Sequence, residues 1–378
     1  MADLLRDLER HQDQMSSLLE RFVQMESPSG DKARIDALAA VLADEWRKRG
    51  AEVTEIASHS GNHLLVRFSP ANRAATGQIM LLGHLDTVYP AGTLETMPFR
   101  LASGRAYGPG VFDMKGGLVI ALAAFDALRR AGVEPRRPIT CLWNSDEETG
   151  SFSSRELIER ECRASQAVLV LEPAAEPKGA IKTARKGVGE IEMKVTGRAA
   201  HSGLRPQDGV NAVLELALQI ARVSKWNNPR RGIGVQANVA AGGTRVNVIA
   251  AEASCQIDLR AERQSDIRAL ERKFRALRPI TRGARLEVKG GFNRPPMERR
   301  MAAALFAKAK LLASEIRWKL QEATVGGGSD GNLTASLGIP TLDGLGAVGE
   351  GAHSLEESIV IKELPRRAAL LAGLIASL

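Results

Sequence analysis

The period of the hydrophobic pattern changes twice along this chain and divides it into two kinds of segment. In the first half, short apolar runs alternate with amphipathic stretches of helical period, which is typical of a mainly parallel sheet flanked by helices. A regular alternation of apolar and polar residues follows, as in 188–195, and indicates half-exposed antiparallel strands. Near the end the first pattern returns. The sequence therefore predicts a discontinuous α/β domain of residues 1–182 and 294–378, into which an α+β domain of residues 183–293 is inserted.

The same pattern predicts the individual elements. In the α/β part we expect helices over 3–25, 31–49, 118–130, 155–161 and from 364 onward, and strands over 52–56, 63–68, 78–84, 139–143, 167–171, 316–320 and 340–343. In the inserted part we expect strands over 188–195, 233–240, 244–260 and 285–289, with helices over 209–223 and 265–277. The inserted domain is thus predicted to pack two helices on a four-stranded antiparallel sheet.

Charge adds one alternative function. The formal net charge is +8 and the sequence pI is near 9.6, which is compatible with a non-enzymatic, basic nucleic-acid-binding protein. However, Lys and Arg are dispersed among nearly as many acids, and aromatic residues make up only 4%. We therefore favour a generally basic surface that attracts small anionic substrates over a nucleic-acid partner.

Cysteine usage and hydropathy suggest a compartment. The three cysteines, Cys141, Cys162 and Cys255, are far apart and form no Cys-x-x-Cys pair, which suits reduced thiols in a cytoplasmic protein. The N-terminal residues are charged and amphipathic and lack the apolar centre of a signal peptide. No stretch approaches a membrane-spanning length, so no membrane partner is expected.

Candidate chemistry begins at the end of the strand predicted over 78–84. His84 and Asp86 are two residues apart, so on an extended chain they face the same side. Ligand sites of α/β sheets open at the carboxyl ends of strands. An Asp that accepts a hydrogen bond from a metal-bound His fixes the tautomer of that His.

Five separate segments place an acid or a His at a strand end or in a tight loop: His84, Asp113, Glu148, Glu172 and His353. Carboxylates and imidazoles without thiolate are typical ligands of a hydrolytic Zn²⁺ or Mn²⁺ site. Five ligands exceed what one catalytic metal needs. If one carboxylate is shared, they suit two metals about 3.5–4 Å apart. Asp113, in a turn flanked by glycines, is the best candidate for the shared ligand.

The adjacent acids Glu147 and Glu148 need a separate interpretation. Adjacent side chains point in different directions, so both cannot easily bind one ion. One of them is expected to be a ligand and the other a general base, and the spacing alone does not decide which.

Several motifs, in order along the chain, resemble the M20 metallopeptidase family, and its glutamate carboxypeptidase branch in particular. They are 83–88 (GHLDTV), 108–117 (GPGVFDMKGG), 146–151 (DEETGS), 200–203 (AHSG), 243–249 (GTRVNVI) and 351–354 (GAHS). The resemblance implies a zinc-peptidase-like catalytic domain and an inserted lid that forms a homodimer. It further implies two Zn²⁺ ions, with Mn²⁺ or Co²⁺ as substitutes.

The resemblance also implies roles for individual residues. One zinc is held by His84, Asp113 and Glu172, and the other by Asp113, Glu148 and His353, with Glu147 as the base and Asp86 orienting His84. In the inserted domain, His201 stabilises the oxyanion, while Arg260 and Asn247 bind the substrate carboxylate. Without the resemblance, His201 is interpreted as an exposed loop residue and Arg260 as an ion-pair partner of Asp258. Ser329, in a glycine-rich loop, is expected to line the substrate pocket.

The sequence therefore predicts a hydrolase that cleaves an amide bond next to a free carboxylate in a small acidic peptide or N-acyl amino acid. A deacylase of N-acyl amino acids or a dipeptidase of the same family is the alternative.

Overall fold

The computed structural model describes residues 1–70 and 76–378. These residues form two compact units. Unit 1 contains residues 1–184, 299–325 and 329–378, and unit 2 contains residues 185–298 and 326–328. Within the described ranges, none of the helices is long and apolar enough to cross a membrane.

Unit 1 alternates helices and strands, as predicted. Its helices are α1 (Ala2–Arg10), α2 (Gln12–Val23), α3 (Lys32–Lys48), α4 (Thr93–Thr96), α5 (Gly116–Arg130), α6 (Arg155–Arg163), α9 (Ala303–Ser314), α10 (Asp330–Ser336) and α11 (Glu363–Ser377). Its strands are β1 (Glu52–Ile56), β2 (His63–Phe68), β3 (Gln78–His84), β4 (Arg100–Ala102), β5 (Arg105–Tyr107), β6 (Ile139–Asn144), β7 (Ser165–Val170), β8 (Ile181–Arg185), β13 (Glu322–Val325), β14 (Thr341–Leu342), β15 (Gly349–Glu350) and β16 (Ser358–Val360).

The main sheet of unit 1 has the strand order β1–β2–β6–β3–β7–β14 among the described residues. The central strand β3 runs parallel to β6 and β7, while β1 and β2 form an antiparallel edge. All residues of β3 and β6 are buried, which explains their continuous apolar runs, because helices cover both faces of a parallel sheet. The predicted mixed α/β sheet is confirmed.

The core of unit 1 holds this sheet against its helices. On one face, Trp46 of α3 packs against the rings of Phe68, Phe125 and Trp143, with centroids 5.1–6.1 Å apart. Helix α5 passes close to the chain that follows β7. A Cβ on Gly117 would overlap the carbonyl oxygen of Leu171, so only glycine fits there without a shift.

Three predicted elements differ in the structure. The helix expected over 3–25 is broken at His11, whose ring bonds the Asp7 carbonyl at 2.7 Å in place of the backbone N–H. Residues 316–320 do not form a strand, because Arg317 has φ +54° and the N–H groups of 315–318 bond to carbonyls at the end of α9. Of the strand expected over 244–260, only the second half is a strand in the structure, which runs from Glu252 to Ala261.

Unit 2 is built on an antiparallel sheet. Its strands are β9 (Gly187–Thr196), β10 (Gly234–Gly242), β11 (Glu252–Ala261) and β12 (Arg285–Arg294), and its helices are α7 (Ala212–Ser224) and α8 (Gln264–Arg275). In the described residues the strand order is β10–β11–β9–β12. Residues of β9 alternate between buried and solvent-facing, as expected for a sheet with one covered face. The predicted separate antiparallel sheet is therefore confirmed.

Candidate metal centre

The candidate site of unit 1 lies where three parallel strands end. β3 ends at His84, β6 is followed by Glu147 and Glu148, and β7 is followed by Glu172. Parallel strands bring their carboxyl ends to one edge of the sheet, where ligand sites of α/β folds open. Residues that are far apart in the sequence are therefore brought together by the strand order.

One group of ligating atoms surrounds His84. Its Nε2 lies 3.2 Å from Oδ1 of Asp113 and 3.4 Å from Oε1 of Glu172. All three side chains are largely buried, and one donor atom of each lies within 4.8 Å of the others. This group matches the first predicted ligand set.

A second group surrounds His353. Its Nε2 lies 3.6 Å from Oδ2 of Asp113 and 3.3 Å from Oε2 of Glu148. The carboxylate of Asp113 therefore presents one oxygen to each histidine. A carboxylate that bridges two metal ions has this arrangement.

The spacing of these atoms fits divalent metal ions. Zinc ligands lie about 2.0–2.2 Å from a tetrahedral ion, which places neighbouring ligand atoms about 3.3–3.6 Å apart. The measured separations of 3.2, 3.4, 3.6 and 3.3 Å match that spacing closely. Imidazole and carboxylate donors are those that Zn²⁺ and Mn²⁺ accept. The residues present therefore fit two ions that share Asp113.

Protonation in this cluster follows from its geometry. Burial alone would lower the pKa of His84, but hydrogen bonds to Asp113, Asp86 and Glu172 raise it well above its usual value. Hydrogen bonds to Asp113 and Glu148 raise the pKa of His353 to about 10. Burial opposes ionisation of Asp113, yet hydrogen bonds from His353 and His84 hold its pKa well below the usual range. The proton on Nε2 of each histidine must leave when a metal binds to that nitrogen.

His84 is oriented by a backbone group. Its Nδ1 lies 2.9 Å from the carbonyl oxygen of Asp86, whereas the nearest carboxylate oxygen, Oδ1 of Asp86, is 3.5 Å away. A carbonyl can only accept, so Nδ1 carries the proton and Nε2 faces Asp113 and Glu172 as the ligand atom. The orienting role predicted for Asp86 stays a prediction; the structure adds that its main-chain carbonyl lies nearer to Nδ1 of His84 than its carboxylate does.

The carboxylate of Asp86 has other partners. Its Oδ1 accepts the backbone N–H of Glu147 at 3.1 Å, and its Oδ2 accepts the N–H of Glu148 at 3.2 Å and the hydroxyl of Ser29 at 2.7 Å. Asp86 is completely buried, so these hydrogen bonds compensate for the loss of hydration. The turn that carries both acids is therefore attached to the segment that carries His84.

The adjacent acids Glu147 and Glu148 both lie in the turn Glu147–Thr149, but their side chains have different surroundings. Oε2 of Glu148 belongs to the His353 group, and burial raises the pKa of Glu148 against the opposing hydrogen bond to His353. Glu147 is buried as well but lies in neither ligand group found among the described residues. The geometry thus favours Glu148 as the ligand of the pair.

In unit 2, His201 and Asn247 lie on neighbouring segments. The backbone N–H of Ser202 donates to the carbonyl of Asn247 at 3.0 Å. Nδ1 of the exposed His201 accepts the N–H groups of Gly203 (3.1 Å) and Leu204 (3.2 Å). In the neutral ring the proton therefore lies on Nε2, which makes that atom a hydrogen-bond donor.

Arg260 of unit 2 forms an ion pair with Asp258. Its Nη2 and Nε lie 2.9 and 3.0 Å from the two carboxylate oxygens, and its Nη1 lies 3.4 Å from the carbonyl of Gly326. About a third of the side chain is exposed. The Asp258 carboxylate thus fixes the orientation of the Arg260 guanidinium group. This ion pair is the alternative role that the sequence predicts for Arg260.

Ser329 caps helix α10. Its side chain is fully buried, its hydroxyl donates to Asp343 at 2.6 Å, and it accepts the N–H of Gly331 at 3.0 Å. The side-chain oxygen of Asn332 accepts the Ser329 N–H, which completes a capping box at the start of α10. The substrate-binding role expected for Ser329 stays a prediction, and the structure adds that its hydroxyl is engaged by Asp343 and by the N-terminus of α10.

Ser29 and Glu357 contact residues of this site but are not among the residues predicted from the sequence. Ser29 lies between the helices predicted over 3–25 and 31–49, in a segment for which the sequence predicts no site residue. Glu357 lies four residues after His353, and its backbone contacts could not be deduced from spacing.

Comparisons with known proteins agree with this geometry. The family description "Peptidase family M20/M25/M40" matches residues 80–377. Carboxypeptidase G2 of Pseudomonas sp. (strain RS-16) is 30% identical over 371 residues, a match that covers 95% of this chain and 88% of that protein. Succinyl-diaminopimelate desuccinylase of Verminephrobacter eiseniae (strain EF01-2) is 26% identical over 312 residues, which cover 78% of this chain and 77% of that protein.

A solved structure shows the same fold. Aminopeptidase PepT from Bacillus cereus ATCC 10987 has a TM-score of 0.79 at 21% identity, and the alignment covers 97% of this chain and 98% of that one.

Proposed function

This chain belongs to peptidase family M20/M25/M40, and on that premise we propose that it is a two-zinc hydrolase of an amide bond beside a free carboxylate. Membership shows a metallopeptidase-family enzyme, as the motifs predicted. The observation that carries the proposal is the division of the Asp113 carboxylate between His84 and His353.

Divalent ions bound in the two groups would polarise the scissile carbonyl and lower the pKa of a water molecule. The proton transfers are assigned to Glu147. Its carboxylate accepts the proton that the attacking water loses and delivers it to the leaving nitrogen as the carbon–nitrogen bond breaks. Glu147 suits this role because it is buried, is adjacent to the ligand Glu148 and has its backbone held by Asp86.

We assign substrate contacts to three residues of unit 2. The Nε2–H of His201 would donate to the oxyanion that forms during amide cleavage. Arg260 would bind the substrate carboxylate through Nη1 and the second N–H of Nη2, because Nε and the other N–H of Nη2 donate to Asp258. Asn247 would donate to the same substrate group. Small acidic peptides and N-acyl amino acids are therefore the proposed substrates.

The test uses purified protein, an N-acyl-glutamate or a dipeptide with a C-terminal glutamate, and product analysis with and without a chelator. Glu147→Gln should keep its metal and lose turnover by about 10²–10⁴-fold, because the base is removed and no ligand is. Glu148→Gln should lose metal as well as turnover. Equal metal loss in both variants would reject the division of roles.

A deacylase of N-acyl amino acids, or a dipeptidase, is the second candidate, favoured by the similarity to succinyl-diaminopimelate desuccinylase. Comparing kcat/KM for N-succinyl amino acids with that for peptides ending in glutamate decides between these activities. Arg260→Ala, measured with acid substrates and with amidated ones, tests the carboxylate contact. If the loss of kcat/KM caused by Arg260→Ala and the loss caused by amidation simply add, Arg260 does not hold that carboxylate.

We also propose a homodimer formed through unit 2. Strand β10 lies at a sheet edge, and the second half of the strand is exposed throughout. Val239 on β10 and Val213, Leu214 and Leu218 on α7 are exposed apolar residues. An exposed edge with apolar neighbours is a surface that a second copy can cover.

Leu214→Asp should shift the protein toward monomer in sedimentation equilibrium. Leu311→Asp, an exposed leucine of unit 1, is the matched control and should not change the mass. A monomeric wild-type protein at micromolar concentration would reject the dimer.

A further inference from the structure

Glu357 is fully buried in unit 1 and bonds to the backbone around Asp113. Its Oε2 accepts the N–H of Gly110 at 2.9 Å. Its Oε1 accepts the N–H groups of Phe112 at 2.7 Å and Asp113 at 2.8 Å. Both carboxylate oxygens are therefore used, and each faces N–H donors.

These donors belong to an irregular turn. Gly110 has φ +72°, and Asp113 (φ −115°, ψ 94°) and Met114 (φ −132°, ψ 35°) depart from helical geometry within Val111–Lys115. A buried N–H without a partner is costly, and so is a buried carboxylate without donors. Glu357 satisfies both requirements at once, so the conformation of the turn depends on its carboxylate.

Glu357 is also connected, through Tyr89, to the loop that carries His353. Tyr89 donates its hydroxyl to the carbonyl of Ser354 at 2.8 Å and also contacts the Glu357 carboxylate. Ser354 follows His353, whose φ of +63° is a conformation that a non-glycine residue keeps only when its surroundings hold it. The loop of His353 and the turn of Asp113 thus meet at one buried carboxylate.

A basic side chain accompanies this carboxylate. The buried Nζ of Lys115 donates to the carbonyl of Met25 at 2.8 Å, and burial lowers the pKa of Lys115 to about 7 against the opposing charges of Glu357 and Glu26. The side chain of Glu357 belongs to neither ligand group found among the described residues. Its contacts identify it as a support for ligands.

We propose that Glu357 is a positioning residue that fixes Asp113 relative to His353 and so builds the second metal group before an ion arrives. The inference rests on the proposed two-metal function. Residues that support metal ligands typically change metal affinity by about 10–100-fold when they are mutated. The second group should be affected most, because both Asp113 and His353 depend on Glu357, while the first group retains His84 and Glu172.

Glu357→Gln is the sharpest variant, because it keeps the shape but replaces one acceptor oxygen with an NH₂ group that opposes a backbone donor. Glu356→Gln is the matched control, an adjacent and exposed residue with the same charge change. Zinc affinity is measured by chelator competition on the full-length protein. We expect the second zinc to bind about 10–100-fold more weakly in Glu357→Gln, and Glu356→Gln to bind as the wild type does.

Tyr89→Phe provides a second variant if Glu357→Gln does not fold. It removes only the hydroxyl and should weaken the second zinc by a smaller factor with the first zinc unchanged. Wild-type affinity for both ions in either folded variant overturns the inference, as does equal weakening of both ions. A wild-type protein that binds fewer than two ions overturns the proposed function instead.

Discussion

The carboxylate of Asp86 holds the main chain of Glu147, with Oδ1 3.1 Å from its backbone nitrogen. The backbone carbonyl of Asp86 meanwhile accepts from Nδ1 of His84 at 2.9 Å. One buried residue thus connects the imidazole of the candidate metal centre to the turn of the proposed base. Its carboxylate and its carbonyl perform separate tasks, so mutation of the side chain can separate them.

Asp86→Asn should lower kcat by about 10–100-fold without loss of metal. The asparagine offers a single acceptor oxygen, so either the N–H of Glu147 or that of Glu148 loses its partner, while the carbonyl that orients His84 remains. Steady-state kinetics and metal analysis on the same sample check this prediction. Ser29→Ala, which removes one donor to Asp86, should have a smaller effect in the same direction. Loss of metal from Asp86→Asn would instead show that the carboxylate orients His84.

Gly117→Ala should destabilise the protein and disturb the first metal group. The added methyl would overlap the carbonyl oxygen of Leu171, one residue before the proposed ligand Glu172. Overpacking of this kind costs about 1–3 kcal/mol in the free energy of unfolding. Denaturant unfolding and zinc affinity are the measurements. Gly327→Ala is the control, since nothing lies within 4 Å of a Cβ there, and it should be neutral.

His63 should make stability depend on pH. Burial lowers its pKa, an effect that the charges of Asp146, Asp86 and Asp330 only partly oppose, and its Nδ1 accepts the N–H of Ser145 at 3.2 Å. Below the unfolded-state pKa of about 6.5 the unfolded chain binds the proton more readily than the folded one. Stability is therefore retained at neutral pH and falls on acidification, by at most about 1.4 kcal/mol per pH unit.

The measurement is Tm between pH 8 and 5 for the wild type and for His63→Asn at saturating zinc. Asparagine can still accept the Ser145 N–H but does not titrate in this range. The wild type should lose more stability on acidification than the variant, and the metal ligands contribute equally to both. Parallel curves for the two proteins would mean that the pKa of His63 is the same in the folded and unfolded states.

The sequence predicted long elements well because their burial imposes a clear period. The apolar run of β3 and the alternation in β9 each identify a strand and the number of faces it buries. Strands of two or three residues, such as β4 and β15, are too short to show a period. The break at His11 arises from one side-chain hydrogen bond, which hydropathy does not encode.

The candidate site shows the same division. Ligand types were predictable because acids and histidines at strand ends have few structural reasons to be there. Which atom of each residue makes a contact, and with which partner, was not predictable. The carbonyl of Asp86 lies nearer to Nδ1 of His84 than its carboxylate does, and the hydroxyl of Ser329 caps a helix. Glu357 shows no pattern at all, because its partners are backbone groups far away in the sequence.

The central claim is that Asp113 is shared by two metal ions. Its most direct test is the zinc content per chain after equilibrium dialysis at a fixed free zinc concentration. The account predicts about two zinc ions in the wild type, about one in Glu172→Gln and in His353→Gln, and less than one in Asp113→Asn. A single ion in the wild type, or an Asp113→Asn variant that keeps one ion at full affinity, would contradict it.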